Sequence, residues 1–116
     1  MGDHTDPELD VRVQSSEGGA TVLAFAGELD LSNAEEARSA LVEAQGTANA
    51  VFLDLRALRF LDSSGLRVLL EANRRAAEGG GSLKVAAGEG VVSRVFELSG
   101  VGALLDLVDA PPGEAA

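Results

Sequence analysis

Two adjacent serines, Ser63 and Ser64, stand between Asp62 and Gly65 in the stretch RFLDSSGLRVLLEA, residues 59–72. The hydrophobic pattern predicts that an apolar strand ends just before them and that an amphipathic helix begins there. A helix start is satisfied by one capping oxygen, from Asp62, Ser63 or Ser64, and such a cap contributes about 1 kcal/mol. The serines therefore serve either routine capping or the display of one hydroxyl for chemistry.

Hydrolysis is the less suitable chemistry for these hydroxyls. A serine nucleophile needs a base, and the only histidine of the chain is His4, near the amino terminus. The stretch also lacks the glycine two residues ahead of the serine that a nucleophile elbow uses. Acceptance of a phosphate fits better, because a helix amino terminus favours an anion and phosphorylation adds about −1.5 to −2 charges. A small serine hydrolase stays open as a remote alternative.

Carboxylates at Asp30, Asp54 and Asp62 raise the question of a metal ion. Each has a simpler role, because Asp54 lies inside an apolar strand, Asp62 suits a helix cap and Asp30 begins a loop. We therefore predict neither a metal site nor a cofactor.

Length and charge restrict the class of protein. The chain has 116 residues, which indicates one domain, and a formal net charge of −10. A surface of that sign is repelled by nucleic acid and by anionic lipid heads, so neither is an expected partner. Cysteine is absent, and the acidic start has no apolar signal segment, so we expect a cytoplasmic protein.

Hydrophobic periodicity predicts an α/β fold with the order β-β-α-β-α-β-α-β. The opening hairpin and the helical crossovers predict a mixed sheet, backed by helices, with AVFLDL as a central strand. The predicted domain covers 9–109, between disordered tails at 1–8 and 110–116. The predicted strands are 10–14, 21–29, 50–55, 82–87 and 103–108. The first and third predicted helices are 31–46 and 90–100. The second predicted helix follows a connection at 56–61 and ends at the glycines 79–81.

Two helices carry finer predictions. In the first, Ser32 and Glu35 have the spacing of a capping box, and Gly46 is expected to end the helix. In the second, one face is predicted from Leu66, Leu69, Leu70, Asn73 and Ala77.

Three segments together resemble the STAS-domain anti-sigma-factor antagonists, which are bacterial switch proteins. GELD at 27–30, followed by a polar loop into an EEAR-type helix, is similar to the first signature of that family. VFLDLRALRFLDSSGLRVLLEA at 51–72 is similar to its strand, loop and phosphoacceptor helix, and VFELSGV at 95–101 to its carboxy-terminal signature. The resemblance spans roughly residues 9–109 and implies the fold predicted above.

The resemblance also implies a site. Its phosphoacceptor is the serine before the glycine, Ser64, with Ser63 as a minor candidate. The partner surface that it implies comprises Asp30, Leu31, Ser32, Asn33, Asp62, Ser63, Ser64, Gly65, Leu66 and Arg67. Arg67 is open to two interpretations, as a partner of the phosphate or as a solvated helix residue.

The implied function is partner switching in the regulation of transcription. The unphosphorylated protein would bind an anti-sigma factor that is also a serine kinase and so release the sigma factor. Phosphorylation of Ser64 with ATP held by that partner would end binding, and a PP2C-type phosphatase would restore it. The protein itself would be a substrate, not an enzyme. The alternative is a STAS subunit of a transport or stress-sensing complex that uses the same loop without phosphate turnover.

Overall fold

The computed structural model of the protein describes residues 8–15 and 19–112, and the predicted order of elements is confirmed. A turn of 3₁₀ helix at Val101–Leu104 precedes the last strand. The strands are β1 Leu9–Ser15, β2 Ala20–Leu29, β3 Ala50–Leu61, β4 Ser82–Ala86 and β5 Asp106–Val108, and the helices are α1 Ala34–Thr47, α2 Ser63–Gly79 and α3 Val91–Ser99.

The described residues form a five-stranded sheet in the order β1-β2-β3-β4-β5. β1 pairs antiparallel with β2, whereas β2, β3, β4 and β5 are mutually parallel, each joined to the next by a helical crossover. The predicted mixed sheet with AVFLDL at its centre is therefore confirmed. Because β2 and β3 are parallel neighbours, their carboxyl ends meet at the same edge of the sheet.

The core lies on one face of this sheet, beneath the helices. Along β3, Val51, Leu53 and Leu55 are buried, while Phe52 and Asp54 between them are partly exposed. These strand residues belong to one hydrophobic cluster with the buried residues of all three helices, including Leu41 of α1, Leu69 of α2 and Phe96 of α3. A single apolar cluster thus holds the helices and the sheet together.

The predicted connection at 56–61 is wrong, because β3 continues through it to Leu61. The pairing with β2 shifts register twice, once between Ala24 and Ala26 and once between Gly27 and Glu28. These irregularities place extra residues on β3 and change the spacing of its buried side chains, which continue at Leu58 and Leu61. The loss of strict alternation explains why the pattern indicated a loop.

Helix boundaries require smaller corrections. α1 continues past Gly46 to Thr47, and it starts after Asn33 rather than at a capping box. α2 ends at Gly79, with Gly80 in the left-handed conformation at φ 77°, so termination by the glycines is confirmed.

The face of α2 that packs on the sheet is rotated from the predicted one. Its buried residues are Gly65, Val68, Leu69 and Ala72. Of the predicted face, Leu69 is therefore confirmed, Leu66 and Leu70 are partly buried against the hydrophobic cluster, and Ala77 is exposed.

The last predicted strand is shorter than expected, since 101–104 forms the 3₁₀ turn and β5 begins at Asp106. Residues 1–7 and 113–116 lie outside the described residues, so the disorder predicted for the tails 1–8 and 110–116 stays a prediction. Within the second segment, Pro111 is described and is buried. None of the described helices combines the length and the apolar character that a membrane span requires.

Candidate functional site

Two loops meet at the edge of the sheet where β2 and β3 end. Leu29 and Leu61, the last residues of these strands, pair in register. The N–H of Asp62 then donates a hydrogen bond to the carbonyl oxygen of Leu29 at 3.3 Å. The loop that follows β2, residues 30–33, therefore lies directly beside the start of α2.

Asp62 caps α2, and the serines occupy the first helical turn. One carboxylate oxygen of Asp62 accepts hydrogen bonds from the N–H groups of Ser64 at 2.9 Å and Gly65 at 3.2 Å. Ser63 and Ser64 are the first two residues of the helix, Ser63 exposed and Ser64 half-buried. Within residues 8–15 and 19–112, neither hydroxyl has a hydrogen-bond partner. The capping task thus falls to Asp62 and leaves both serine hydroxyls accessible to chemistry.

This arrangement refines one expectation about a phosphate on Ser64. The orphan N–H groups of a helix start would be its natural ligands, but Asp62 already occupies those of Ser64 and Gly65. Its carboxylate also brings negative charge to the place where the phosphate would lie.

Gly65 fixes how closely α2 approaches the sheet. A Cβ atom on Gly65 would lie 2.9 Å from Cγ of Leu29 and within overlap distance of Cδ1 of Leu61. Gly65 has no left-handed backbone conformation, so close packing, not backbone freedom, is what requires glycine. The absence of a side chain lets the first turn of α2, and Ser64 with it, rest directly on the ends of β2 and β3.

The loop after β2 is held by Asn33, which is 3 % exposed. Its side-chain oxygen accepts from the N–H of Asp30 at 3.0 Å, and its amide nitrogen donates to the carbonyl oxygen of Glu28 at 3.0 Å. Ser32 does not cap α1, because its hydroxyl donates to Asp30 at 2.6 Å. The polar groups of the loop are therefore satisfied internally, and Leu31 projects outward, 78 % exposed.

A cleft of about 430 Å³ separates α1 from α2 beside this loop. Among the predicted site residues, the cleft is lined by Leu31, Ser63, Ser64 and Arg67. Leu66 instead packs against the hydrophobic cluster. The remaining lining residues, which the sequence did not single out, are Ala34, Glu35, Arg38, Val68 and Glu71.

Four of the lining residues carry charge. Arg38 of α1 makes ion pairs of 3.3 Å with Glu35, one turn before it, and with Glu71 across the cleft. Arg67, by contrast, is exposed and makes no side-chain hydrogen bond or ion pair with any described residue. Opposite charges on consecutive helices were the available sequence signal for Arg38 and Glu71, but periodicity alone does not orient two helices toward each other.

The aspartates considered for a metal ion are not brought together. Asp30 lies with Glu8 and Glu28, whose carboxylate oxygens come within 4.8 Å of one another, and Asp62 is a cap.

Asp54 is partly exposed, and its Oδ1 accepts a hydrogen bond from Nε of Arg56 at 2.9 Å. Burial raises the pKa of Asp54, but hydrogen bonds and charge from Arg56 outweigh burial and leave that pKa below its ordinary value.

Comparisons with known proteins show solved structures of the same fold. The anti-sigma factor antagonist from Mycobacterium paratuberculosis superposes with a TM-score of 0.79 at 24% identity, over 92% of this chain and 92% of that one. The anti-sigma factor antagonist SpoIIAA in its unphosphorylated form gives 0.67 at 22% identity, over 88% and 90%. The phosphorylated form of SpoIIAA, a Bacillus cell fate determinant, gives 0.65 at 24% identity, over 89% and 93%.

At these identities the likeness establishes the fold. The family assignment rests on the sequence, because a family model described as the Mlab STAS domain matches residues 13–108, most of the chain. This protein therefore belongs to the STAS-domain family.

Proposed function

We propose that this protein is an anti-sigma-factor antagonist whose binding is switched off by phosphorylation of Ser64. The observation that carries the proposal is the position of Ser64, half-buried at the cleft between α1 and α2 with its hydroxyl unengaged by the described residues. The exposed Leu31 lines the same cleft and offers apolar contact to a partner. Similarity in fold to anti-sigma factor antagonists, one of them solved both with and without phosphate, supports this assignment.

The partner is an anti-sigma factor with serine kinase activity, and the site of action is the bacterial cytoplasm. Binding of the unmodified surface would release the sigma factor and so activate transcription. In the kinase step, Oγ of Ser64 attacks the γ-phosphorus of ATP held by the partner. An O–P bond forms as the bond to the β,γ-bridging oxygen breaks, ADP leaves with the electron pair, and the hydroxyl proton passes to a base of the kinase. A PP2C-type phosphatase would return the serine by hydrolysis.

A phosphate on Ser64, or a carboxylate in place of its hydroxyl, should weaken partner binding while it leaves the stability of the fold nearly unchanged. At the helix start a negative charge is tolerated or favoured by roughly 0.3–1 kcal/mol, although Asp62 already uses part of that advantage. At an interface the same charge loses water and faces a partner surface shaped for a hydroxyl, which can cost several kcal/mol. We therefore expect Ser64→Asp to melt near the wild-type temperature and to bind the anti-sigma factor at least tenfold more weakly, while Ser64→Ala binds like wild type.

Ser39→Asp is the matched control, because Ser39 is exposed on α1 and does not line the cleft. It adds the same charge and should leave affinity within about twofold of wild type. Incubation with the kinase and ATP should add one phosphate, which mass mapping locates on Ser64. Equal affinities of Ser64→Asp, Ser39→Asp and wild type would remove Ser64 from the interface and defeat the proposal.

A second candidate function uses the same surface without phosphate turnover, as a fixed STAS subunit of a transport or stress-sensing complex. The capping of α2 by Asp62 favours it, because the N–H groups of Ser64 and Gly65 already donate to Asp62 and are not available to a phosphate. Stable partner binding together with no phosphate on Ser64 or Ser63, after incubation with the kinase that binds it, would favour this function.

A further inference from the structure

The charges at the cleft show what a phosphate on Ser64 would meet. From α2 it faces Asp62 at the cap, Arg67 one turn on and Glu71 beyond, and from α1 it faces Glu35 and Arg38. The charges of the two acids and two arginines that line the cleft sum to zero. Binding the added phosphate therefore requires an arginine that is not already paired with an acid.

Arg67 is that cation. It follows Ser64 by three residues on α2, a spacing that places Cβ atoms about 5–6 Å apart on one helix face. Both side chains line the same cleft. The planar guanidinium group can donate two parallel hydrogen bonds to phosphate oxygens, and charge-assisted bonds of this kind are the strong ones.

Arg67 is available because its helical neighbour is engaged elsewhere. Glu71 follows Arg67 by four residues and is its nearest acidic neighbour along α2 on that helix face, but Glu71 pairs with Arg38 of α1 at 3.3 Å. Arg67 is left without an ion pair among the residues that the structure describes. The ion pair with Arg38 thus directs the Glu71 carboxylate across the cleft toward α1 and not toward Arg67.

We propose that Arg67 is the phosphate-binding residue of this site, and that Arg38 keeps it free by engaging Glu71. Arg67 holds the phosphate on Ser64 within the protein's own cleft, despite the nearby negative charge of Asp62, and the phosphate does not extend into solvent. This inference rests on the proposed function for the identity of the modified residue. It adds how the modified state is stabilised. The backbone N–H groups of Ser64 and Gly65 cannot stabilise the phosphate, because they already donate to Asp62.

The test places phosphoserine at position 64 of the full chain by genetic encoding, so that neither kinase nor partner is needed. Phosphorus NMR then follows the second ionisation of the phosphate, which has a pKa of about 6 in an exposed phosphoserine. A neighbouring guanidinium favours the dianion, so we expect the titration midpoint to rise by about half a pH unit or more in Arg67→Gln. Arg38→Gln should raise it less, because Arg67 is still present, although the cleft loses the charge of Arg38 and the released Glu71 competes for Arg67.

Arg74→Gln is the matched control, since it removes the same charge from an exposed position of α2, ten residues and about 15 Å along the helix from Ser64. Its midpoint should stay near that of wild type. Arg67→Lys should recover only part of the effect, because lysine keeps the charge but lacks the planar fork. Circular dichroism checks that every variant is folded. A midpoint in Arg67→Gln equal to that of Arg74→Gln overturns the proposal.

The two proposals fail separately. Tight binding of the phosphorylated protein to the anti-sigma factor contradicts the switch, whatever the NMR titration gives. A raised midpoint in Arg67→Gln, with Arg74→Gln unchanged, supports phosphate binding by Arg67 even in that case.

Discussion

Replacing Gly65 by alanine tests whether close packing at the start of α2 positions Ser64. A Cβ at this position would lie 2.9 Å from Cγ of Leu29 and 3.1 Å from its Cδ2, and it would overlap Cδ1 of Leu61. Leu29 is fully buried and Leu61 is 5 % exposed, so neither leucine can move aside freely. The helix must retreat or the leucines must leave their preferred rotamers.

Two effects of Gly65→Ala oppose each other. Overpacking of a well-filled core costs about 1–3 kcal/mol. Alanine recovers up to about 1 kcal/mol of helix propensity, and less in the first turn. We therefore expect Gly65→Ala to lower the free energy of unfolding by about 1–2 kcal/mol, which a domain of ordinary stability survives.

Gly46→Ala provides the control in the same chain. Gly46 lies in the last turn of α1 and is exposed. A Cβ there would contact no described atom within 4 Å beyond its chain neighbours and the backbone of its own helix. Here only the helix-propensity effect operates, and it is reduced near the helix end, so this variant should be more stable than wild type by up to about 0.5 kcal/mol.

Urea unfolding followed by far-ultraviolet circular dichroism measures both variants, because the chain has no Trp and no Tyr for a fluorescence signal. Since the first turn must shift in Gly65→Ala, phosphorylation of Ser64 by the kinase should also slow, while Gly46→Ala should react like wild type. A Gly65→Ala protein as stable as Gly46→Ala would refute the packing argument.

Two further predictions concern polar groups. Asn33→Ala should lower the free energy of unfolding by about 1–3 kcal/mol and weaken partner binding, because the N–H of Asp30 and the carbonyl of Glu28 lose their hydrogen-bond partner. Urea unfolding and a binding titration on the same samples check this. An unchanged stability would contradict it. The pKa of Asp54 is lowered in the fold, so its contribution is present above the ordinary value of 3.8 and is lost as pH falls through the lower, folded pKa. Melting temperatures measured from neutral pH down to pH 3 should therefore decline less steeply below about pH 4 in Asp54→Asn than in wild type; parallel declines would show that Asp54 contributes nothing to acid sensitivity.

Asp54 also shows why part of the fold escaped prediction. Its carboxylate accepts from both the backbone N–H and the side chain of Arg56, two residues on, where the pairing of β3 with β2 becomes irregular. Prediction by alternation assumes a regular strand, so it ended β3 at residue 55 although the chain stays paired to Leu61. The order of elements was predictable because each helix and strand carries its own period.

The capping of α2 was predictable only as a choice among neighbours. Asp62, Ser63 and Ser64 were all candidates for the cap, and Asp62 forms it. Asn33 was placed in the loop through the family resemblance, but its burial follows from a fold of the chain that brings its side chain onto the backbone of Glu28 and Asp30. Arg38 and Glu71 belong to different helices, and only the packing of α1 on α2 brings them to 3.3 Å. Contacts between elements are what local patterns do not contain.

Some residues of the site fix the backbone of its two loops, and others expose side chains on its surface. Asp62 and Asn33 satisfy the backbone of the two loops, and Gly65 sets the depth of α2. With these internal needs met, Leu31 and Arg67 are exposed and the hydroxyl of Ser64 is unengaged by the described residues. Under the proposed function, a partner or a phosphate would be recognised mainly through side chains that contribute little to folding. Changes at Leu31 or Arg67, or an added charge at Ser64, should therefore alter recognition with little loss of stability, which is the property that a reversible switch requires.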